Sequence, residues 1–554
     1  MRRLTLSLLI LAVFPATAGA DVTLDEFTVT PSSTQAGSHP DVTLFQRITP
    51  SAGDDVKDSF VRLAPGLLGN PQSAPLCTRE QLRSSSGCPE NTKIGTVQVT
   101  ALINVLPILG VPQTINGNVY NLRPLGGEPA RLGLRLQPLE LPAPLPQALP
   151  PVFLESPVYL RPGADGIGLE SLFSDQPREQ SGLDIQITSV RLTFLGKASR
   201  GSFMRMPTSC APATSLARVN SYGAPGTFAQ KTFTFTPTGC DQLAFTPSAE
   251  GSLGAPGATR VRDRVPLSTT LRFDPEQAAL RRAEVTLPLS LASTTQALSR
   301  ACGRAEADAS ACPESSRVGI ATIDSPLQAE PVRGPVYLAL NTPAPLPGLM
   351  VILPPPVDLR IDGVTEVGAF GTRNVFPSNP DLPLRSFKLE FEGGPNGLLQ
   401  LTKDLCRDGT PTEIDVKLTA HSGKVTEFKQ DLATPGCDPE ARVTLTKRGK
   451  RFVLAAVLQA PRRGPDITAA RLSLPKGLRR GRTRPRIHVD GRRLRGRAFR
   501  RSVRPNLGDG ARRIKIVWPG LRAKRKLPRT VMVPVSMVDA RGKRLALRQR
   551  VRRD

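Results

Sequence analysis

The eight cysteines fall into two sets of four with the same internal order, and that order constrains the fold more than any other feature. Cys77 and Cys88 enclose 10 residues, and Cys210 and Cys240 enclose 29. Cys302 and Cys312 then enclose 9, and Cys406 and Cys437 enclose 30. A short pair followed by a long pair, twice over, marks a duplicated unit. The flanking residues repeat as well. Residues 88–99 read CPENTKIGTVQV and residues 312–323 read CPESSRVGIATI. Gly117-Asn118-Val119-Tyr120 answers to Gly334-Pro335-Val336-Tyr337, and 61–70 answers to 285–294.

The N-terminus reads as a secretory leader over residues 1–20. Arg2 and Arg3 precede an apolar stretch over 4–14, and Ala18-Gly19-Ala20 offers a small-residue cleavage site. The mature chain is then expected to begin near Asp21. No later stretch approaches the roughly 18 apolar residues that a transmembrane helix needs, so no membrane span is expected in the mature chain. An exported chain with an even number of cysteines is expected to form disulfides. The expected pairs are Cys77–Cys88, Cys210–Cys240, Cys302–Cys312 and Cys406–Cys437. Zinc sites want cysteines only about two to four residues apart within a pair, and these spacings do not supply that.

Runs of Val, Leu, Ile, Thr and Phe are punctuated by Gly and Pro in a chain with 55 Pro and 47 Gly, which predicts all-β structure. Strands are expected over 96–105, 184–194, 232–236 and 413–419, with helix confined to turns at 78–84 and 275–282. Each long cysteine pair should enclose a hairpin, 215–221 with 228–236 and 413–420 with 424–432. The expected layout is two homologous β-sandwich-like repeat units, 21–245 and 246–440, followed by a small basic β-sandwich (Ig-like) domain, 441–554.

That last region has no cysteine. It holds 36 Lys and Arg against 5 Asp and Glu, a net charge of +31, whereas the whole chain carries +27, so residues 1–440 carry −4. Ile487-His488-Val489 before Asp490-Gly491 is a hairpin signal, and 531–538 with 543–551 reads as another. In the last strand Leu545, Leu547 and Val551 share one parity while Arg544, Arg548 and Arg550 share the other, so one face should be buried and the other cationic. Arg492, Arg493, Arg495, Arg497, Arg500, Arg501 and Arg504 form one cluster. Arg522, Lys524, Arg525, Lys526 and Arg529 form a second. Arginine outnumbers lysine 29 to 7 here, and its planar fork pairs bidentately with phosphate and carboxylate. A solvated face normally mixes both signs. These residues are therefore the expected polyanion-binding set. The partner would be an anionic cell-wall polymer or another extracellular polyanion, with no intracellular nucleic acid.

The segments 88–99 and 312–323, each close to a CPxxSxIGxxxI pattern, the GxVY segments, Pro207-Thr208-Ser209-Cys210 with Thr238-Gly239-Cys240-Asp241, and the Arg-rich end together resemble a family. It is an uncharacterised family of exported, disulfide-containing multi-repeat β-proteins from high-GC Gram-positive bacteria. Lys403-Asp404-Leu405-Cys406 departs from that pattern in the second unit. The resemblance implies a secreted, surface-associated β-protein and carries over no catalytic residues.

No motif for a nucleotide, a cofactor or a metalloprotease appears, and no metal, cofactor or catalytic residue is expected. His39, His421 and His488 lie far apart in sequence. One Trp and four Tyr make a poor platform for stacking sugars. Asp-rich calcium loops are absent. The expectation is a secreted, cell-surface, envelope-associated structural or adhesion-like protein held by its basic end. The alternative is an extracellular hydrolase with a glycosidase-type carboxylate pair, drawn from acids such as Asp184, Glu366, Asp381, Glu390 and Glu392.

Overall fold

The computed structural model describes residues 22–552 apart from Ala52, Pro107, Ile108, 141–147, Ala164, Asp408, Arg462, Arg463, Arg495 and 524–526. The leader expected over 1–20, Arg495 and the run Lys524-Arg525-Lys526 lie outside the described residues. The chain is all-β, and its four disulfides join the expected cysteines. Among the described residues no helix is long and apolar enough to cross a membrane.

The first half is one curled, 12-stranded antiparallel sheet. In chain order its main strands are β1 (Val22–Pro31), β2 (Val42–Pro50), β3 (Val56–Arg62), β4 (Lys93–Leu106), β5 (Leu109–Leu122), β6 (Ala130–Leu136), β7 (Phe153–Gly163), β8 (Gly166–Phe173), β9 (Leu183–Phe194), β10 (Ala213–Ser221) and β11 (Ala229–Phe235). They lie in the order 1-2-9-4-5-6-7-8-3-10-11. Period-two burial sets the faces: in β2, Val42, Leu44, Gln46 and Ile48 point inward while Thr43, Phe45 and Arg47 do not. The two ends of the path come back together, where Lys231 Nζ on β11 donates to the Asp25 carbonyl on β1 at 2.6 Å.

The second half repeats this path strand for strand. Its strands are β12 (Ser248–Leu253), β13 (Leu267–Arg272), β14 (Leu280–Thr286), β15 (Arg317–Asp324), β16 (Val332–Ala339), β17 (Gly348–Leu353), β18 (Leu359–Asp362), β19 (Val364–Gly368), β20 (Gly371–Phe376), β21 (Ser386–Phe391), β22 (Glu413–Ala420) and β23 (Val425–Asp431). A 7-stranded sheet runs 12-13-21-15-16-17-18, and a 5-stranded sheet runs 19-20-14-22-23. One difference separates the halves. In the first, β7 is continuous: Val158 pairs with Ala130 of β6 and with Ser171 of β8, so a single strand belongs to both layers. In the second, the corresponding strand is broken between β18 and β19 at Gly363. A Cβ there would lie 2.8 Å from the Phe376 ring, so the glycine is what allows the corner.

Each short disulfide pins a helical turn against the strand path. The turn α1 (Arg79–Arg83) carries a capping box between Thr78 and Gln81. Cys77 hydrogen-bonds across to Asn121 and Arg123, and Cys302 does the same to Leu338 and Leu340. Tyr120 and Tyr337, equivalent in the repeat, pack against these disulfides. Replacing Cys302 and Cys312 with alanine should lower unfolding stability by about 3 kcal/mol on the loop-entropy account, read by denaturant titration of the otherwise oxidised protein. No loss of stability would mean that the second unit does not need the staple. The long disulfides close the open ends of the β10–β11 and β22–β23 hairpins.

Residues 275–282 are not helical. A turn leads directly into β14, where Leu280 and Ala283 are buried and pair with β22. Burial in the sheet overrides the helix preference of Gln, Ala, Leu and Arg in that stretch.

The C-terminal sandwich stacks two sheets over a separate core around Trp518, Leu454 and Val533. One contains β24 (Glu440–Arg448), β25 (Arg451–Gln459), β27 (Arg486–Val489), β28 (Arg492–Leu494) and β31 (Arg513–Ala523). The other is β29 (Gly496–Ala498), β30 (Ser502–Pro505), β26 (Ile467–Ser473), β32 (Thr530–Asp539) and β33 (Arg544–Arg552). The β27–β28 hairpin turns on Asp490 and Gly491 with φ of 46° and 84°, the conformation that Asp-Gly favours.

Candidate polyanion-binding surface

The strand β33 presents Arg544, Arg548, Arg550 and Arg552 outward, with Val551 buried and Leu545 and Leu547 half-buried on the other side. Alternate residues on a strand stand roughly 7 Å apart, so Arg548, Arg550 and Arg552 form a close row of guanidinium groups, with Arg544 set apart from it by Ala546. A second group of arginines lies on the same face beyond β32, whose own outward side chains are Met532, Pro534 and Ser536. Arg471 on β26 lies opposite Ser536, which itself lies opposite Ala546. The register that pairs Leu472 with Val503 brings Arg504 beside Arg471, and Arg497 is directly opposite Arg504. Like charges placed opposite one another cost stability. The Arg504 guanidinium also lies over the Phe499 ring at 5.4 Å.

The acids of this region do not offset the row. Asp490 accepts the backbone amides of Arg512 and Arg513, and Asp466 pairs with Arg512 at 2.9 Å. Asp539 is buried and accepts the amides of Arg541 and Lys543. They shape turns. Among the described residues, none of the expected polyanion-binding arginines has a carboxylate partner within ion-pair distance.

The cluster 492–504 is not one patch. Arg492 and Arg493 sit on β28 at the edge of one sheet, whereas Arg497 and Arg504 belong to the other. Arg500 is exposed beside the β29–β30 turn, and Arg501 reaches back to the Leu474 and Pro475 carbonyls at 3.4 Å. Arg522 lies on β31 opposite Arg479, and Arg529 is exposed just before β32. Arg471 and Arg552 were not among the expected residues yet share the face. The parity that exposes Arg550 also exposes Arg552, and the alternation Ala470-Arg471-Leu472 would have exposed Arg471.

The candidate hydrolase carboxylates are scattered. Glu390 pairs with Lys388 at 2.6 Å, Glu392 with Arg317 at 3.9 Å and Glu366 with Arg373 at 3.7 Å. Asp184 stands opposite Glu179 in an open cleft beside Tyr222. Arg178, in that cleft's wall, donates at 3.2 Å to Asp55, whose carboxyl burial nonetheless pushes up from its ordinary value. Asp381 is buried at the junction of the two repeated units. It accepts the Thr208 amide and hydroxyl, both at 2.7 Å. His39 bridges the Met204 carbonyl and Glu276, and His421 meets the Asn379 carbonyl at 2.9 Å. Among the described residues, no group of three or more His, Cys, Asp or Glu side chains could hold a metal ion.

No protein-family model and no curated protein matches the sequence. Solved structures align with it only loosely. The collagen adhesin CNA from S. aureus aligns at 7% identity and TM-score 0.17, covering 56% of this chain and 92% of its own. A DUF4785 family protein from Legionella pneumophila aligns at 9% and 0.20, covering 96% and 91%. The major pilin SpaD from Corynebacterium diphtheriae aligns at 10% and 0.17, covering 82% and 84%. Scores this low align strands without a common arrangement of them, so none of these proteins lends its role to this chain.

Proposed function

We propose that this is an exported, envelope-associated structural or adhesion-like protein, in which the basic sandwich, 441–554, holds the body to an anionic polymer. The body consists of the two disulfide-pinned units, 21–245 and 246–440. The observation that carries this reading is one face of the second sheet: Arg548, Arg550 and Arg552 in line on β33, and Arg471, Arg504 and Arg497 side by side on β26, β30 and β29, none with a carboxylate partner within ion-pair distance. Electrostatic repulsion within such a row is relieved when a phosphate- or uronate-bearing chain lies across it, and arginine suits that contact because its fork takes two oxygens at once.

The test compares the full-length protein with a variant carrying Arg544→Gln, Arg548→Gln, Arg550→Gln and Arg552→Gln. Binding is measured to long-chain polyphosphate and to isolated cell walls. At about 0.05 M salt the variant should bind at least about tenfold more weakly, and wild-type binding should fall steeply as salt rises to about 0.15 M. Binding that ignores salt, or a variant that binds like wild type, would remove the attachment role.

A further inference from the structure

Both repeated units hold an apolar void between their layers, lined by equivalent strands. In the first unit a cavity of about 160 Å³ is walled by residues such as Val61, Ala101, Leu134, Phe173 and Ile187. In the second a cavity of about 100 Å³ is walled by residues such as Leu271, Ile323, Leu353, Phe376 and Leu389. Leu160, Leu327 and Gln328 line both. Leu160 sits on β7, the strand that crosses between layers, and it packs into the second unit's core. The β7–β8 hairpin is fixed there by Arg161, which pairs with Asp358 at 3.0 Å. Leu160, Leu327 and Gln328 thus form a wall common to the two voids.

Several polar groups of the larger wall are already partnered. Ser59 donates to Gln46 at 3.0 Å, Asn121 donates to the Pro71 and Ala74 carbonyls at 2.8 and 3.0 Å, and Glu170 faces Arg62 at 3.6 Å. Water in such a space would find few hydrogen bonds, and apolar cavities of this kind stay dry. Protein interiors are close-packed, and an unfilled apolar void costs stability. Here the void recurs in both copies of a duplicated unit, at the same level of the same strand path.

We infer that this space binds the hydrocarbon tail of a single-chain amphiphile. An apolar cavity of about 150 Å³ accommodates one benzene. On that scale the two voids end to end take a tail on the order of ten carbons. With no free charge in the wall, recognition is of the tail and not of the headgroup.

The test uses the full-length oxidised protein with a fluorescent fatty-acid probe, displaced by straight-chain alcohols and acids of increasing length. Decanol and decanoic acid should displace the probe comparably. Affinity should rise by about fourfold per methylene up to about ten carbons and then level off. Ala101→Phe, which fills the larger void, and Leu160→Trp, which enlarges the common wall, should each weaken binding at least tenfold. The four-arginine variant should bind the probe like wild type. Displacement by the acid but not the alcohol, affinity independent of chain length, or unchanged binding in both filling variants would overturn the inference. The chain-length series needs no variant, so it decides the matter even if Ala101→Phe fails to fold.

Discussion

Asp381→Ala is expected to destabilise the paired repeat units by about 3 kcal/mol, the cost of losing two buried hydrogen bonds to a carboxylate and leaving a buried amide unsatisfied. Asp381 comes from the loop before β21 in the second unit, whereas Thr208 and Arg205 come from the first. Its two oxygens take the Thr208 amide and hydroxyl, and the Thr208 hydroxyl in turn accepts the Ala279 amide at 3.2 Å. Beside them Arg205 is 5% exposed, with one hydrogen bond of 2.8 Å to the Gln277 carbonyl and no partner at Nε or Nη1. Burial pushes the Arg205 guanidinium down from its ordinary value, and the charges of Asp381 and Glu276 oppose that push. Taking the carboxylate away leaves the Thr208 amide unpaired and removes one of the two negative charges that act on the buried Arg205. Asp381→Asn keeps one acceptor oxygen and should cost less. The measurement is denaturant unfolding followed by circular dichroism, with Trp518 fluorescence recorded on the same samples. The dichroism transition should move to lower denaturant while the fluorescence transition stays, because Trp518 lies in the separate third core. A shift below about 1 kcal/mol would mean that the junction hydrogen bonds are replaceable by water.

What could be read from the sequence was local or periodic. The cysteine order, the Cys-Pro turns and the Asp490-Gly491 hairpin depend on a few neighbouring residues, and all are where they were expected. The inward and outward sides of β33 follow from parity alone. Long-range pairing was not legible. Nothing in residues 183–194 indicates that β9 inserts between β2 and β4, a choice made by which edges the rest of the sheet leaves open. The continuity of β7 against the break at Gly363 depends on how near the Phe376 ring comes. The basic clusters show the same limit: arginines close in sequence at 492–504 are divided between two sheets, while Arg471, distant in sequence, stands beside Arg504 and Arg497. Nothing local to Asp381 marks it as buried; its burial is a property of the packed junction, and so is the wall that Leu160 and Leu327 give to both cavities.

The third core offers the other large effect. Trp518, on β31 opposite Leu454, is 0% exposed, and its indole Nε1 is buried without a hydrogen-bond partner. Trp518→Ala should destabilise the basic sandwich by about 3–5 kcal/mol through lost burial and the cavity left behind. Trp518→Phe should stay within about 1 kcal/mol of wild type, since a lost unsatisfied N–H offsets part of the lost volume. Since either change removes the chain's single tryptophan, unfolding is followed by hydrogen exchange of the β24–β33 strands. The pair also bears on attachment. The arginine row exists only while β26, β30, β32 and β33 are aligned in one sheet, so Trp518→Ala should weaken polyphosphate binding at temperatures where the sandwich melts, with every arginine still present. Trp518→Phe should bind like wild type at the same temperatures. If Trp518→Ala unfolded the sandwich and polyphosphate binding were unchanged, the charge of the segment would suffice without its fold, and the alignment of arginines on β33 would have no part in recognition.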